Sequence, residues 1–457
     1  MVQAQAVRLG RRLTIEAAWG TLLLASCVGL ARLAPANGAS PAFGEYLPIV
    51  YEVPRSGQAR QMAARQLAQV NEKLKQRDFD GAIADCDKAI SIDPTFAVAY
   101  YARGTAKHRK HLLDAALEDF DHAIRLDPKF APAYIDRAWV RLAKYDYVKA
   151  ISDCNVALQL SPKNPAAYND RGVARSEVGE VNAAINDLDR AIALNPSFEL
   201  AYRNRAVAKT RKGDFDSAIA DSTRAIELDP KDAVAYVDRG FAKSRQGDFA
   251  GASSDYDRAL QLNPKYSGAY IARGTAKRDR GDLEGALVEY NQALQIDPKN
   301  IFALRHLGVT KELEGNFDGA LSELIRAAEL GPPSRFNDYD QFFIWVLRTR
   351  LNQRDPADTG LAQYLENRTQ PSLEPWIANI GQFLLGKLAE SDFIASANAT
   401  DPEEKLGQLC EAWYYAGMKR LLSGDKQGGL DDLRHCTETK KTGFFEYTLA
   451  EAELAKG

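Results

Sequence analysis

The chain has 457 residues, of which 45% are hydrophobic and 26% are charged, a composition typical of a folded protein with two or three structural units. Its formal net charge at pH 7 is −3, because 59 lysines and arginines nearly balance 62 aspartates and glutamates. This balance excludes bulk positive charge as a means of attracting nucleic acid or an acidic membrane, so no nucleic-acid partner is predicted.

The first 36 residues have the form of a secretory signal. Three arginines, at positions 8, 11 and 12, precede an apolar run over residues 17–31. At about 15 residues, this run is shorter than the roughly 20 residues that a membrane-spanning helix needs. We therefore predict a signal over 1–36 and a linker over 37–62.

The signal can end in two ways, and the sequence leaves both open. Leu24-Ala25-Ser26-Cys27 resembles the bacterial lipobox, in which the cysteine becomes the lipidated first residue, whereas Ala34-Pro35-Ala36 resembles an ordinary cleavage site. The alternatives are a lipoprotein anchored through Cys27, a soluble secreted protein and an uncleaved membrane anchor. The first two predict the periplasm or cell envelope, with membrane contact only through an N-terminal anchor.

A constant interval of 34 residues, visible in the spacing of the prolines, organises most of the chain. Prolines stand at 94, 128, 162, 196, 230, 264, 298 and 332, and residues 63–334 divide at the same interval into eight units of equal length without an insertion. Alanine holds the twentieth and the twenty-seventh place of all eight units, and tyrosine holds the fourth place of units two to seven. This pattern resembles the tetratricopeptide repeat (TPR).

Each unit predicts a pair of amphipathic helices, because its apolar places recur at helical spacing. Glycines such as Gly213 stand between the two helices, where a left-handed residue is needed, and Asp214, Asp248 and Asp282 follow as N-cap candidates. The proline then ends the second helix. The fold class is therefore all-α, and the resemblance implies a right-handed superhelical solenoid of helix pairs with a C-terminal helical capping region.

Charged residues also follow the period. Arg171 recurs as arginine in most units, Arg175 recurs as lysine or arginine, and Asp187 on the second helix recurs as aspartate or glutamate. A base on one helix and an acid on the next, repeated in almost every unit, predicts a ladder of ion pairs between helices.

Residues that do not repeat on the first helix of each unit are the candidates for partner binding. In TPR arrays the first helices line the concave surface, and the resemblance implies that the second, fifth, sixth, ninth and twelfth places face a partner. These places hold acids, amides and large aromatics that suit proteins or extended peptides in the groove, aromatics being frequent binding anchors. The predicted protein-binding residues are Tyr101, Asp136, Trp139, Asn169, Asp170, Arg203, Asn204, Asp238, Phe241, Arg305 and His306. The cationic clamp by which some TPR domains hold a terminal carboxylate is not reproduced, because the sixth place is acidic in three units.

Residues 335–457 form a C-terminal helical region outside the period. Helical patterns cover 339–352, 361–367, 375–388 and 406–422, and a degenerate TPR covers about 410–441. The order of Phe342-Phe343-Ile344-Trp345, the segment 381–386 and the segment 411–417 resembles the C-terminal half of the NlpI-type bacterial lipoproteins. Members of that family sit in the periplasm on a lipid anchor and bring peptidoglycan endopeptidases together with a processing protease. We expect these helices to cap the array or to form a homodimer.

Catalytic and cofactor motifs are absent from the sequence. It contains no nucleotide-binding loop, nucleophile elbow or zinc-ligand spacing, and it has five histidines, so we predict no enzyme activity, cofactor or metal. Cys410 lies early in one predicted helix and Cys436 near the end of its antiparallel partner, which predicts a disulfide. The alternative is a thiol nucleophile served by His435.

Together these features predict a non-catalytic scaffold or adaptor in the bacterial cell envelope. It would bind protein partners on its concave surface and organise peptidoglycan hydrolases or a protease. The alternative is a membrane-anchored regulatory scaffold that faces the cytosol, with the apolar N-terminal run left uncleaved.

Overall fold

The computed structural model describes residues 57–331, 335–368 and 374–456, and these residues form 24 α-helices joined by short turns. They fall into two compact units, 57–230 and 231–456. The predicted signal over 1–36, with Cys27, and most of the predicted linker lie outside the described residues.

The N-terminal unit contains the first eleven helices. They are α1 (Gln58–Leu67), α2 (Val70–Lys75), α3 (Phe79–Ile92), α4 (Ala97–Arg109), α5 (Leu113–Leu126), α6 (Ala131–Ala143), α7 (Tyr147–Leu160), α8 (Pro165–Glu177), α9 (Val181–Leu194), α10 (Glu199–Lys212) and α11 (Phe215–Leu228).

The helices of this unit follow the sequence period. The first helices α4, α6, α8 and α10 begin at 97, 131, 165 and 199, the same interval that separates the repeat prolines. The second helices α3, α5, α7, α9 and α11 each end two residues before the repeat proline, because proline cannot supply the next backbone N–H. The predicted pair of helices per repeat is confirmed, except that the first helix of unit one is divided into α1 and α2.

The turns within the pairs use left-handed backbone. Gly179 and Gly213 each have φ of 83°, and the backbone N–H of Ser217 donates to the N-cap side chain of Asp214. The same turn place holds Arg77, His111 and Tyr145 in the first three units, at φ of 62°, 62° and 61°. The predicted turn geometry is confirmed, and three side-chain-bearing residues adopt it as well.

Small residues at the eighth place let the paired helices approach closely. A Cβ atom added at Gly172 on α8 would lie 2.8 Å from Cγ of Leu188 on α9, and one at Gly104 would lie 2.8 Å from Cε1 of Phe120. Because no real Cβ atom tolerates such contacts, these glycines fix the distance between the helices of a pair.

The second unit contains three further helix pairs and seven C-terminal helices. The pairs are α12 (Ala233–Gln246) with α13 (Phe249–Leu262), α14 (Ser267–Asp279) with α15 (Leu283–Ile296), and α16 (Ile301–Leu313) with α17 (Phe317–Leu330). The C-terminal helices are α18 (Arg335–Arg350), α19 (Arg354–Asn367), α20 (Pro375–Leu384), α21 (Glu390–Ala395), α22 (Pro402–Leu422), α23 (Lys426–Glu438) and α24 (Phe445–Lys456).

The C-terminal helices pack on the last repeat. One buried cluster contains Val309 of α16 and Leu324 of α17 together with Trp345 and Trp376, which are 1% and 5% exposed. Trp413 is partly buried against the same cluster. The array of helix pairs is therefore continued by a region with a core of its own.

The four predicted C-terminal helices are present with different bounds. Helix α19 begins at 354 rather than 361, because Pro356 is accepted in the first turn of a helix. Helix α20 ends at 384 rather than 388, because Gly386 adopts φ of 72° and terminates it.

Over 57–331, 335–368 and 374–456, no helix combines the length and apolar character needed to cross a bilayer. The same residues contain no group of three or more histidines, cysteines, aspartates or glutamates placed to hold a metal ion.

Candidate functional site

The predicted ladder of ion pairs is confirmed and separates structural charges from candidate binding residues. Nε and Nη2 of Arg171 donate to Asp187 at 2.9 and 2.6 Å, and Nη1 of Arg175 donates to the same carboxylate at 2.7 Å. Asp187 is 5% exposed and the two arginines are partly exposed, so the three side chains form a triad around a buried carboxylate between α8 and α9. Equivalent triads join the two helices of units two, three and five, around Asp119, Asp153 and Asp221.

The ladder arginines of repeats two to five, Arg103, Arg137, Arg171 and Arg205, also reach the second helix of the preceding repeat. Nη1 of Arg171 donates to Oδ1 of Asn155 on α7 at 2.7 Å, and Nη1 of Arg205 donates to Asp189 on α9 at 2.6 Å. The guanidinium of Arg171 lies over the ring of Tyr168, one turn earlier, 5.5 Å from the ring centroid. These arginines therefore hold successive units together.

The predicted binding residues differ in exposure. Asp136 and Trp139 on α6 are partly exposed. The other nine are buried: Tyr101, Asn169, Asp170, Arg203, Asn204, Asp238, Phe241, Arg305 and His306. Their role in binding a partner stays a prediction, and α6 presents the most accessible members of the set.

A hydrogen-bonded row joins three predicted residues on α8 and α10. Nδ2 of Asn204 donates to Oδ1 of Asn169 at 2.8 Å, and Nδ2 of Asn169 donates to Oδ1 of Asp170 at 3.1 Å. Asn204 and Asn169 are one repeat and one residue apart, so the register itself brings them together. Burial raises the pKa of Asp170 to about 7, assisted by the charge of Asp136.

Asp136 on α6 is hydrogen-bonded to α4. Oγ1 of Thr105 donates to Oδ2 of Asp136 at 3.3 Å, and the hydroxyl of Tyr101 donates to the same carboxylate. Burial raises the pKa of Asp136 to about 6, although these hydrogen bonds and the positive charge of Arg109 oppose the rise. Two carboxyl groups on successive first helices thus titrate near neutral pH.

Trp139 lies one turn beyond Asp136 on the same helix. Its ring packs against His108 of α4, with the centroids 4.2 Å apart. Burial lowers the pKa of His108 to about 3, so this imidazole is neutral at physiological pH. The pair offers a fixed aromatic surface one turn from Asp136.

The thirteenth place also carries polar contacts between first helices, which the sequence analysis missed. Nη1 and Nη2 of Arg211 on α10 donate to Oγ of Ser176 at 2.8 Å and to Oε1 of Glu177 at 2.7 Å on α8. The sequence contained a signal for these contacts, because the thirteenth place varies between Arg109, Glu177 and Arg211 and directly follows the twelfth place, which was predicted to face a partner.

In the compact unit formed by residues 231–456, the predicted residues of the last repeat contact the C-terminal helices. Nε and Nη2 of Arg305 donate to Asp340 on α18, with distances from 2.6 to 3.0 Å. The ring of Phe445 on α24 meets His306 edge-on at 5.4 Å, and Arg278 of α14 lies over the same ring at 5.4 Å. Arg305 and His306 are therefore engaged by this chain's own helices.

Cys410 on α22 and Cys436 on α23 are both buried, free thiols, with their sulfur atoms 3.4 Å apart. Their proximity agrees with the predicted facing positions, while the disulfide itself stays a prediction. Burial raises the pKa of Cys436 well above its ordinary value, which removes the thiolate that a nucleophile requires. His435 lies on the surface, with Nδ1 3.1 Å from Glu438.

Comparison with protein families identifies the repeat. Models described as tetratricopeptide repeat match residues 67–129, 101–165, 137–209, 201–232 and 233–266, and a model described as TPR repeat matches 274–315. This chain belongs to the tetratricopeptide repeat proteins. No match was found among the curated proteins.

Three solved structures illustrate what this TPR chain is similar to. A TPR protein from Parabacteroides merdae is 20% identical, with a TM-score of 0.48, over 56% of this chain and 99% of its own. YrrB, described as a TPR protein with an unusual peptide-binding site, is 24% identical, with a TM-score of 0.34, over 41% and 97%. PilW, described as a type IV pilus biogenesis factor, is 20% identical, with a TM-score of 0.43, over 47% and 97%.

TPR proteins are typically non-catalytic, and their grooves in general bind peptides and proteins. The chain is accordingly an all-helical TPR array of paired helices with extra C-terminal helices, and a protein-binding scaffold in general character.

Proposed function

We propose that this TPR protein is a cell-envelope adaptor that binds an extended segment of a partner protein on the first-helix face of its N-terminal unit. The observation that carries the proposal is the placement of the partly exposed Asp136 and Trp139 on α6, beside the hydrogen-bonded row of Asn169, Asp170 and Asn204. We call these five residues the α6–α10 face.

The α6–α10 face has the properties of a prepared binding surface. Trp139 is held against His108, and the two asparagines are fixed by each other and by Asp170. Side chains that are already ordered lose little conformational entropy when a partner binds. A partly exposed tryptophan supplies the kind of aromatic anchor on which binding energy concentrates.

The envelope location is proposed from the two ends of the chain. Leu24-Ala25-Ser26-Cys27 has the form of a lipobox, and the segment from Phe342 to the end resembles the NlpI-type lipoproteins. Both features favour a periplasmic adaptor anchored through Cys27. By the same resemblance, the proposed partners are peptidoglycan hydrolases or a protease.

The decisive test of the face is a crosslinking pull-down from native envelopes with Trp139→Ala. We expect this variant to lose partners that the unaltered protein captures. The matched control is Tyr145→Ala, which removes an aromatic that is 58% exposed in the turn between α6 and α7. Retention of every partner by Trp139→Ala would overturn the proposal.

The anchor is tested separately by labelling cells with a palmitate analogue. The unaltered protein should carry the label, and Cys27→Ala should not. An unlabelled, full-length protein would instead support the cytosol-facing alternative with an uncleaved N-terminal segment.

Pairing of two copies through the C-terminal helices belongs to the same proposal. Light scattering on purified protein measures the mass directly, and a monomer at all concentrations would exclude the homodimer.

A further inference from the structure

Two kinds of aspartate with little exposure occur between the helices of the N-terminal unit. Those of the ladder on the second helices, Asp119, Asp153, Asp187 and Asp221, each face two cationic side chains. Asp136 and Asp170, on the first helices, accept their hydrogen bonds from neutral donors, which are Tyr101, Thr105 and Asn169. Within the part of the chain that the structure describes, no ion pair is formed by either carboxylate. These two acids therefore have unused capacity for a cation.

Asn204 provides an independent sign that a donor is missing. Asp170, when ionised, is only an acceptor, so the NH2 group of Asn169 must point toward it. Oδ1 of Asn169 then points to Asn204, so the NH2 group of Asn204 must be the donor of that hydrogen bond. Oδ1 of Asn204 is left buried without a hydrogen-bond donor, on a residue that is 6% exposed. A buried acceptor in this state loses free energy that a ligand donor can recover.

The polar side chains of the α6–α10 face have more acceptors than donors. Asp136, Asp170 and Oδ1 of Asn204 present carboxylate and amide oxygens on three successive first helices, α6, α8 and α10. A lysine ammonium carries three donors, and an arginine guanidinium carries five, with no acceptor in either. The partly exposed Trp139, one turn along α6, adds a ring of the type that attracts such cations.

We propose that Asp136, Asp170 and Asn204 bind a lysine or arginine side chain of an extended partner segment. This inference rests on the proposed function and names the chemical class of the partner. It gives the groove the opposite polarity to a TPR groove that clamps a carboxylate with cationic residues.

Charged groups around the two carboxyls set the pH dependence. Arg109 of α4 favours ionised Asp136, and the charge of Asp136 disfavours ionised Asp170. The Cys154 thiol of α7 faces Asp170 and is neutral, because burial raises its pKa. A bound cation favours the ionised carboxylates, so the affinity should rise as pH increases through the range from about 6 to about 7. Neither lysine nor arginine changes its charge over this range.

The test uses the full chain and a fluorescein-labelled peptide of alternating lysine and alanine, with fluorescence anisotropy as the readout. The double variant Asp136→Asn plus Asp170→Asn keeps the shape of both side chains and should bind the peptide at least about tenfold more weakly. Asp114→Asn, at an aspartate whose side chain is 83% exposed on α5, is the matched control and should bind normally. The peptide with glutamate in place of lysine should not bind.

A second measurement does not depend on any substitution. With the unaltered protein, the affinity for the lysine peptide should fall at least about tenfold between pH about 8 and pH about 5. The inference is overturned if the affinity changes neither with pH nor in the double variant. Equal binding of the glutamate peptide also overturns it.

The failure of this inference can be told from the failure of the proposed function. If Trp139→Ala loses envelope partners while the double asparagine variant retains them, the α6–α10 face binds protein without a cation site. If Trp139→Ala retains the envelope partners, the proposed function itself is wrong.

Discussion

At the scale of single residues, aspartate serves three different purposes in this chain. Asp187 neutralises two arginines and joins two helices, and Asp340 holds Arg305 through two parallel hydrogen bonds. Asp170 instead accepts from an amide, and burial raises its pKa to about 7. The charge of the neighbour, rather than the residue type, decides whether a buried aspartate stabilises the fold or remains available.

We predict that Asp187→Ala lowers the free energy of unfolding by about 1.5–3 kcal/mol, because it removes the charged hydrogen bonds of Arg171 and Arg175 to a buried carboxylate. The measurement is urea-induced unfolding followed by circular dichroism. The control is Glu227→Ala, which breaks a pair with Arg224 whose side chains are 58% and 47% exposed. It should change stability by no more than about 0.5 kcal/mol. Equal losses in both variants would show that the Asp187 triad does not stabilise the pairing of α8 with α9.

At the scale of elements, the turn between the two helices of a pair has one backbone conformation and two kinds of residue. Gly213 adopts φ of 83° with no atom within 4 Å of an added Cβ, so any cost of a side chain there comes from the backbone alone. Tyr145 adopts φ of 61° in the equivalent turn and carries a side chain that is 58% exposed. The left-handed conformation costs a non-glycine residue about 1–2 kcal/mol.

We predict opposite effects from exchanging the residue types at these turns. Gly213→Ala should destabilise the protein by about 1 kcal/mol, because the strain exceeds the entropy that alanine saves in the unfolded chain. Tyr145→Gly should be neutral or stabilise by up to about 1 kcal/mol for the converse reason. Urea midpoints measure both. A stabilising Gly213→Ala would contradict the assigned turn geometry.

Helices α22 and α23 offer a second element-scale prediction through Cys410 and Cys436. Their sulfur atoms are 3.4 Å apart, and a disulfide needs about 2.05 Å, a difference that small side-chain rotations can supply. We predict that a thiol oxidant, taking up two electrons and two protons, joins them in the purified protein. Mass spectrometry of the non-reduced digest should then find the two peptides linked.

Cys410→Ser should abolish the linked species without changing the other cysteines. Cys86→Ser is the matched control, since Cys86 is also buried but lies on α3 in the other unit. Linked peptides that persist in Cys410→Ser would exclude this pairing.

At the scale of the whole molecule, the constant repeat interval predicts the helix pairs because every repeat must stack on its neighbours in the same way. Proline ends a helix, glycine forms the left-handed turn and alanine allows close helix contact, so their spacing reveals helix ends, turns and close contacts. The C-terminal region has no such redundancy. The contact of Trp376 with Glu411, whose carboxylate also accepts from Tyr339, joins three helices by geometry that occurs once.

The candidate site was predictable in part for the same reason. The register places Asn169 and Asn204 one residue off the repeat interval, and the structure joins them. It could not reveal that Arg305 is paired, because Asp340 lies outside the period. The sequence also could not predict which of these side chains are exposed, since their exposure depends on how closely neighbouring first helices approach.

Phe445 leads to a prediction for the molecule as a whole, because it places the last helix on the first-helix face of the last repeats. It is 6% exposed and contacts His306, Arg278 and Phe343, at ring or cation distances of 5.4, 5.4 and 6.4 Å. Phe445→Ala should release α24, since loss of a buried phenylalanine costs about 3–5 kcal/mol. Hydrogen exchange should then accelerate in α24 and α16. Glu451→Ala, on the exposed side of the same helix, should leave exchange unchanged. The lysine peptide, whose proposed site lies in the other unit, should bind equally well to all three proteins. Unchanged exchange in α24 of Phe445→Ala would contradict the role of Phe445 in holding this helix.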